Sequence, residues 1–155
     1  MTVPRIVVHA DVVLQHLGGA RSPSVLRQAM GKFFCYVTVF DAIRLFSLAK
    51  SERERKAIED SMATMKIMGL NPKRARMYGR LLASSRPANT LNVLVAGLCL
   101  ESMLPILTDR AEDFGGIRGL LVVPTMLVPE FESGQEILRA ARRHVHSFAR
   151  EKRSL

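Results

Sequence analysis

Apolar and polar positions follow two rhythms along this chain, a short β-like one and a helical one, and the two alternate. Residues 5–8 form an apolar run that ends at His9-Ala10-Asp11, where Asp11 is placed to cap a helix over 12–17 closed by Gly18-Gly19. Ser22-Pro23-Ser24 opens a second helix carrying Val25, Leu26, Ala29 and Met30. The aromatic and β-branched run at 33–39 predicts the next strand. Thr38-Val39-Phe40-Asp41 ends it and starts a helix through Ala49, with Ile43, Phe46 and Leu48 supplying apolar surface. Asp41 therefore sits near a strand's carboxyl end. Ser51 and Glu54 have capping-box spacing ahead of a helix with Ile58, Met62 and Met65 on one face. A short edge strand is expected at 66–70, and Asn71-Pro72 opens a helix with Ala75, Tyr78, Leu81 and Leu82 inward.

After a polar linker at 84–89, Leu91, Leu94, Val95 and Leu98 recur with helical spacing up to Glu101 and Ser102. Residues 105–107 then form an apolar run that stops at Thr108-Asp109, the pattern of a helix feeding a buried strand. Gly115-Gly116 turns the chain, and 120–123 is a final β run before Pro124. Strands alternating with helices predict an α/β domain on a parallel sheet, because parallel strands need crossovers and these are usually helical. Pro124, Pro129, Glu130, Glu132 and Ser133 set apart a C-terminal helix from about 134 to 152. The chain thus divides into a domain at 1–124 and a linker with an amphipathic basic helix at 125–155. In that helix Ile137, Ala141, Val145 and Phe148 form an apolar stripe, with Leu138 beside it, and Arg139, Arg142, Arg143, Arg150, Lys152 and Arg153 carry charge. Such a stripe packs on its own domain or on a second subunit; contact of the arginines with nucleic acid is the sharper alternative.

Length adds that 155 residues fill one ordinary domain. A formal charge of +9 raises the odds of a polyanionic partner through counterion release, although basic faces are often merely solvated. Cys35 and Cys99 lie inside apolar runs, away from metal-ligand or CxxC spacing, and read as buried free thiols. Apolar runs fall short of the ~20 residues of a membrane span, and the N-terminus lacks a signal-peptide pattern. A cytoplasmic protein without membrane contact is expected.

Candidate chemistry gathers where the strand at 105–107 gives out, at Asp109, Glu112 and Asp113, because ligands of open α/β sheets bind beyond the carboxyl ends of strands. His16, His144 and His146 suggest no triad, no Ser or Cys nucleophile has a recognisable context, and the paired glycines lack a phosphate-loop frame.

Several local phrases carry a resemblance. His9-Ala10-Asp11-Val12-Val13-Leu14 is similar to D-T-N/D-V-L-I, Thr38-Val39-Phe40-Asp41 to T-V-x-E, Asn92-Val93-Leu94-Val95-Ala96-Gly97 to D-A-L-I-A-G, and residues 104–114 to L-P-x-L-T-x-N-x-x-D-F. In this order and spacing they resemble PIN domains, especially the VapC-type toxin ribonucleases of toxin–antitoxin pairs, over residues 5–123. The resemblance implies a PIN-like α/β/α sandwich on a small parallel sheet, to which this chain adds a C-terminal helix. It implies a homodimer, RNA as substrate, and an antitoxin-like partner that lays a helix across the toxin. It also implies acids around Mg²⁺ or Mn²⁺ activating water for phosphodiester attack, since crowded carboxylates need protons or cations and hard metals prefer oxygen ligands.

The pattern is altered at the site. His9 stands at the first acidic position and Asn92 at the third; Asp41 fills the Glu position; Asp113 matches the acid before Phe. Asp109 is an acid one residue from the usual position, here Arg110, and Asp11 lies two residues past the lost first acid. By resemblance Asp41, Asp109 and Asp113 are the catalytic candidates, Asp11 and Asn92 join them as metal ligands, and His9 is the degenerate position. Asn92 still offers a carbonyl oxygen, and His9 could ligate a softer ion such as Mn²⁺ or Zn²⁺. Three readings stay open: a metal-dependent endoribonuclease, weakened where acids are missing; an RNA-binding pseudo-enzyme with no metal; and a protein-interaction module whose C-terminal helix occupies a groove within the chain or in a dimer mate.

Overall fold

The structure, a computed structural model, describes residues 2–84 and 89–153, with 145–153 as backbone only. The alternating pattern becomes β1 (Arg5–Val8), α1 (Ala10–Gly18), α2 (Val25–Met30), β2 (Phe34–Thr38), α3 (Val39–Leu48), α4 (Glu52–Met62), β3 (Lys66–Met68), α5 (Ala75–Ser84), α6 (Thr90–Ser102), β4 (Ile106–Thr108), β5 (Val122–Pro124) and α7 (Gly134–Arg153). Short 3-10 turns lie at Pro72–Arg74, Ala111–Phe114 and Thr125–Leu127.

The five strands form one sheet in the order β3-β2-β1-β4-β5, and every pairing is parallel. Both faces are covered, which is why the strands read as near-continuous apolar runs. On one face Ile6, Val8, Cys35, Val37, Leu107 and Val123 share a core with Val12, Leu26, Ile58 and Ile137 of α1, α2, α4 and α7. On the other, Val7 and Ile106 pack with Val95, Ala96 and Cys99 of α6 and with Phe114. The architecture is a PIN-like α/β/α sandwich. The chain builds outward from β1 through β2 to β3, then returns to the other side of β1 with β4 and β5. The gap between β1 and β4 is the point where strand order reverses, and so opens a crevice beyond their carboxyl ends.

The structure moves several predicted boundaries. The second strand stops at Thr38 because its hydroxyl accepts the Asp41 N–H at 3.1 Å and caps α3. The third stops at Met68, the fourth runs over Ile106–Thr108, and the fifth over Val122–Pro124. Asp11 does not cap α1; His9 is the N-cap residue and Asp11 lies in the first turn. The helix predicted after Asn71 begins with a 3-10 turn, Asn71 accepting from the Lys73 N–H. In it Tyr78 is buried, whereas Ala75 and Leu82 are exposed. On α3 the core-facing residues are Ala42 and Leu45, while Ile43, Phe46 and Leu48 face outward. The capping box at Ser51 forms in part: Ser51 caps Glu54, and the Glu54 carboxylate reaches back to the N–H of Lys50.

The linker expected at 84–89 lies largely outside the described residues. Of the C-terminal stripe, Ile137 and Ala141 are buried in the domain's own core, with α7 against β5 and the turn at Thr125–Leu127. The side chains of Val145, His146, Phe148, Arg150, Lys152 and Arg153 lie outside those described. Cys35 and Cys99 are buried free thiols, and burial pushes both up to about 12, far from a reactive thiolate.

Gly97 holds the crossover helix in place. A Cβ there would come within 2.3 Å of Tyr78 Cε1, so the glycine lets the Tyr78 ring lie flat against α6. The ring is then fixed by its hydroxyl, which donates to Glu101 Oε2 at 2.8 Å. Gly97→Ala is expected to lower stability by about 1–3 kcal/mol through overpacking, measured by urea denaturation; a combined Gly97→Ala/Tyr78→Ala variant should lose less than the sum of the two single changes.

Candidate functional site

The crevice between β1 and β4 is built by three helix starts. Thr38 turns the end of β2 into α3 and drops Asp41 into the third helical position, where it is fully buried. The Asp41 Oδ2 accepts the Ala10 N–H at 2.9 Å, so a residue of α3 satisfies an open donor at the start of α1. Asn89 starts α6 by accepting the Leu91 N–H at 2.9 Å, which places Asn92 on the first turn facing the crevice. His9, freed from any side-chain capping bond, turns its ring into the centre.

There the ring is enclosed. His9 Nδ1 lies 3.0 Å from Asp11 Oδ1, and Nε2 lies 3.1 Å from Asn92 Oδ1 and 3.9 Å from Asp41 Oδ2. Phe114 approaches edge-on with ring centroids 5.1 Å apart at 84°. Arg44, one turn along α3, brings Nη1 to 3.3 Å from His9 Nε2 and Nε to 3.8 Å from Asp41 Oδ1. Two carboxylates, an imidazole and a guanidinium thus share one small volume. His9 Nε2 is within hydrogen-bond distance of both Asn92 Oδ1 and Arg44 Nη1, whereas Nδ1 and Asp11 Oδ1 lie at ion-pair distance without an aligned hydrogen bond; a protonated ring would stand as a cation between the two acids.

Environment sorts the titrations. Burial opposes charging His9, yet the Asp11 and Asp41 carboxylates and the Asn92 amide outweigh it and hold the imidazole above its ordinary range. Burial also opposes ionising Asp11, and there the His9 contact, the Thr108 hydroxyl and the Asp109 N–H win, so Asp11 lies below the usual carboxylate range. For Asp41 burial prevails over His9, Arg44 and the Ala10 N–H, and its carboxyl is held above that range.

The other acids stand at the rim. Asp11 Oδ2 accepts the Thr108 hydroxyl at 2.8 Å and the Asp109 N–H at 3.0 Å, tying α1 to the end of β4. Asp109 Oδ1 accepts from the Thr125 hydroxyl at 2.8 Å, and Asp113 Oδ2 lies 3.2 Å from Arg110 Nε. Glu112 is exposed. The residues singled out in the sequence therefore fall into an inner group of His9, Asp11, Asp41 and Asn92, and a rim of Asp109 and Asp113 with partners of their own. Among the described residues no group of three or more His, Cys, Asp and Glu side chains is arranged to hold a metal ion. Arg44, Thr108, Thr125 and Phe114 belong to the site without having been singled out for it. Arg44 had a legible signal, its i+3 spacing from Asp41 on a helix opened by that acid; Thr125 had none, since it reaches Asp109 only across the sheet.

No family model and no curated protein matches the sequence. Solved structures do match in fold. VapBC2 from Rickettsia felis, bound to a DNA fragment from its promoter, aligns with a TM-score of 0.66 at 12% identity over 76% of this chain and 96% of the matched chain. VapBC-1 from nontypeable Haemophilus influenzae aligns at 0.64 and 14% over 78% and 98%. A toxin–antitoxin complex from Klebsiella pneumoniae aligns at 0.61 and 15% over 77% and 97%. The matches are to chains of VapBC and toxin–antitoxin complexes, and the present chain shares their PIN-like fold.

The His9 environment sets a pH dependence. A pKa raised above its unfolded value near 6.5 contributes stability that is complete below that value and fades as pH rises through the higher folded value. The stability difference between the wild type and His9→Gln, from denaturant melts, is therefore expected to be most favourable to the wild type near pH 6 and to shrink toward pH 9. A difference constant across that range would refute a protonated His9.

Proposed function

We propose that this chain is a VapC-like PIN-fold protein that acts by binding rather than by metal-dependent RNA cleavage, and that its α1–α3–α4 face receives a helix of an antitoxin-like partner. One observation carries the first half: the His9 ring lies between Asp11 and Asp41, and Arg44 flanks Asp41 from the other side. Two carboxylates held on either side of one imidazole, ~8 Å apart, repel by roughly 2 kcal/mol at an effective dielectric near 20, and a cation between them offsets this. Here side chains of the protein supply it. Mg²⁺ requires near-octahedral oxygen ligands at about 2.0–2.1 Å, whereas the inner group offers one buried carboxylate facing a guanidinium, one carboxylate with Oδ2 taken by Thr108 and Asp109 and Oδ1 against the imidazole, an amide and the imidazole itself. These residues do not fit Mg²⁺ or Mn²⁺. Of the acids at the rim, Asp109 is engaged through Oδ1 with Thr125 and Asp113 through Oδ2 with Arg110.

For the partner, α1, α3 and α4 frame a groove of about 310 Å³ lined by Leu14, Leu17, Leu45, Leu48 and Ile58. Ile43 and Phe46 extend the apolar surface of α3 beside it, Ile43 with 57% of its area exposed. An apolar groove between helices is the setting in which an amphipathic helix docks by i, i+3, i+4 anchors, and the fold neighbours are toxin–antitoxin complexes.

Labelled RNAs incubated with the protein and Mg²⁺ or Mn²⁺ are expected to survive as they do with an Asp113→Asn control. Titration calorimetry with Mn²⁺ should show no binding at submillimolar concentrations, and His9→Asp/Asn92→Asp should gain affinity by at least about tenfold, because two carboxylates replace neutral or cationic groups. Metal-dependent cleavage by the wild type that Asp113→Asn abolishes would defeat the reading.

A further inference from the structure

Toward the amino ends of the strands, the sheet face that α6 covers further along carries an aromatic pair set between cations. Residues two apart on a strand share a face, so Phe34 and Tyr36 of β2 lie side by side, their ring centroids 5.2 Å apart at 55°. The parallel register places Arg5 of β1 beside Phe34 and Lys66 of β3 beside Tyr36. Phe34 has 51% of its area exposed. It walls two adjoining concavities, one of about 510 Å³ with Val3, Pro4, Arg5 and Tyr36, the other of about 410 Å³ with Met30, Met65 and Lys66. Arg5 and Lys66 are exposed, and neither pairs with a carboxylate among the described residues.

Tyr36 packs in part on the core beneath α6, but neither packing nor charge pairing within the described chain explains the exposed Phe34 beside it between Arg5 and Lys66. A core phenylalanine would be covered, and solvated lysines and arginines need no aromatic floor between them. We infer that the surface is a binding platform for single-stranded nucleic acid, on which a base stacks against Phe34 and Tyr36 while Arg5 and Lys66 take the flanking phosphates. Every base presents a π-face to an aromatic ring, so such a platform is tolerant of sequence. Strands ~4.8 Å apart place β1 and β3 about 10 Å from each other across β2, and both long side chains reach toward a backbone running over the aromatic pair. The net charge of +9 draws a polyanion to the whole molecule. Charge also decides against a second copy of this chain on the same patch, because a two-fold contact would bring Arg5 and Lys66 against their own counterparts. The platform shares no residue with the His9 cluster or the α1–α3–α4 groove, so it stands or falls independently of the function proposed above.

Fluorescence anisotropy with 5′-labelled oligoadenylate 12-mers, as RNA and as DNA, tests it on the full chain. Phe34→Ala is expected to weaken binding of the preferred strand roughly tenfold, and Phe34→Tyr to keep it within about twofold. Arg5→Ala/Lys66→Ala should weaken binding and flatten the plot of log affinity against log salt by about 1.4, the loss of two phosphate contacts at ~0.7 each. Circular dichroism melts of these surface variants check that folding is unchanged. Absence of binding by the wild type, or affinity indifferent to all three variants, overturns the inference. So does a dimer in sedimentation that Phe34→Ala dissociates, which would make the patch an interface between copies.

Discussion

The crevice at the centre of this molecule depends on one contact, the imidazole of His9 seated between the carboxylates of Asp11 and Asp41. Three elements reach that ring. Asp41 comes from the start of α3, Asp11 from the first turn of α1, and Asn92 from the first turn of α6. Each acid also serves the backbone: Asp41 accepts the Ala10 N–H, and Asp11 accepts the Asp109 N–H together with the Thr108 hydroxyl. The carboxylates thus tie α1 to α3 and to β4. Two such groups tolerate each other in a buried space only with positive charge between them.

In this light His9 and Asn92 act together. An acid at position 9 would face Asp11 and Asp41 directly; a histidine there neutralises them and gains a partner in the Asn92 amide, an oxygen acceptor without charge of its own. Arg44 completes the balance on the far side of Asp41. The sheet and its two cores rest on apolar burial rather than on these polar contacts. That separation of site from scaffold is what allows one fold to carry different activities.

Three surfaces of different character remain on the scaffold. The crevice is polar and holds buried atoms without hydrogen-bond partners at His9 Nδ1, Asp11 Oδ1, Asp41 Oδ1 and Arg44 Nη2; the α1–α3–α4 groove is apolar; the β1–β2–β3 end is aromatic and basic. They lie on different elements, so a partner helix and a nucleic-acid strand would not compete for the same side chains.

The sequence by itself determined the element order, the parallel sheet and the candidate acids, because apolar periodicity, capping residues and motif spacing are local properties of the chain. Ser51 as a cap before Glu54, Gly18-Gly19 as the end of α1 and the buried thiols were all legible in that way. The tertiary structure decided which acids meet. Asp109 and Asp113 look equivalent to Asp11 and Asp41 in the sequence, yet a strand end aims the first pair at Thr125 and Arg110 and the second pair at His9. It also decided which apolar residues remain outside: Ile43, Phe46 and Phe34 have the composition of core, and only the packing of neighbouring helices and strands leaves them exposed. Contacts across the sheet join residues distant in the chain, as Asp11 joins Thr108, and no local pattern encodes where two helix starts will point once five strands lie side by side.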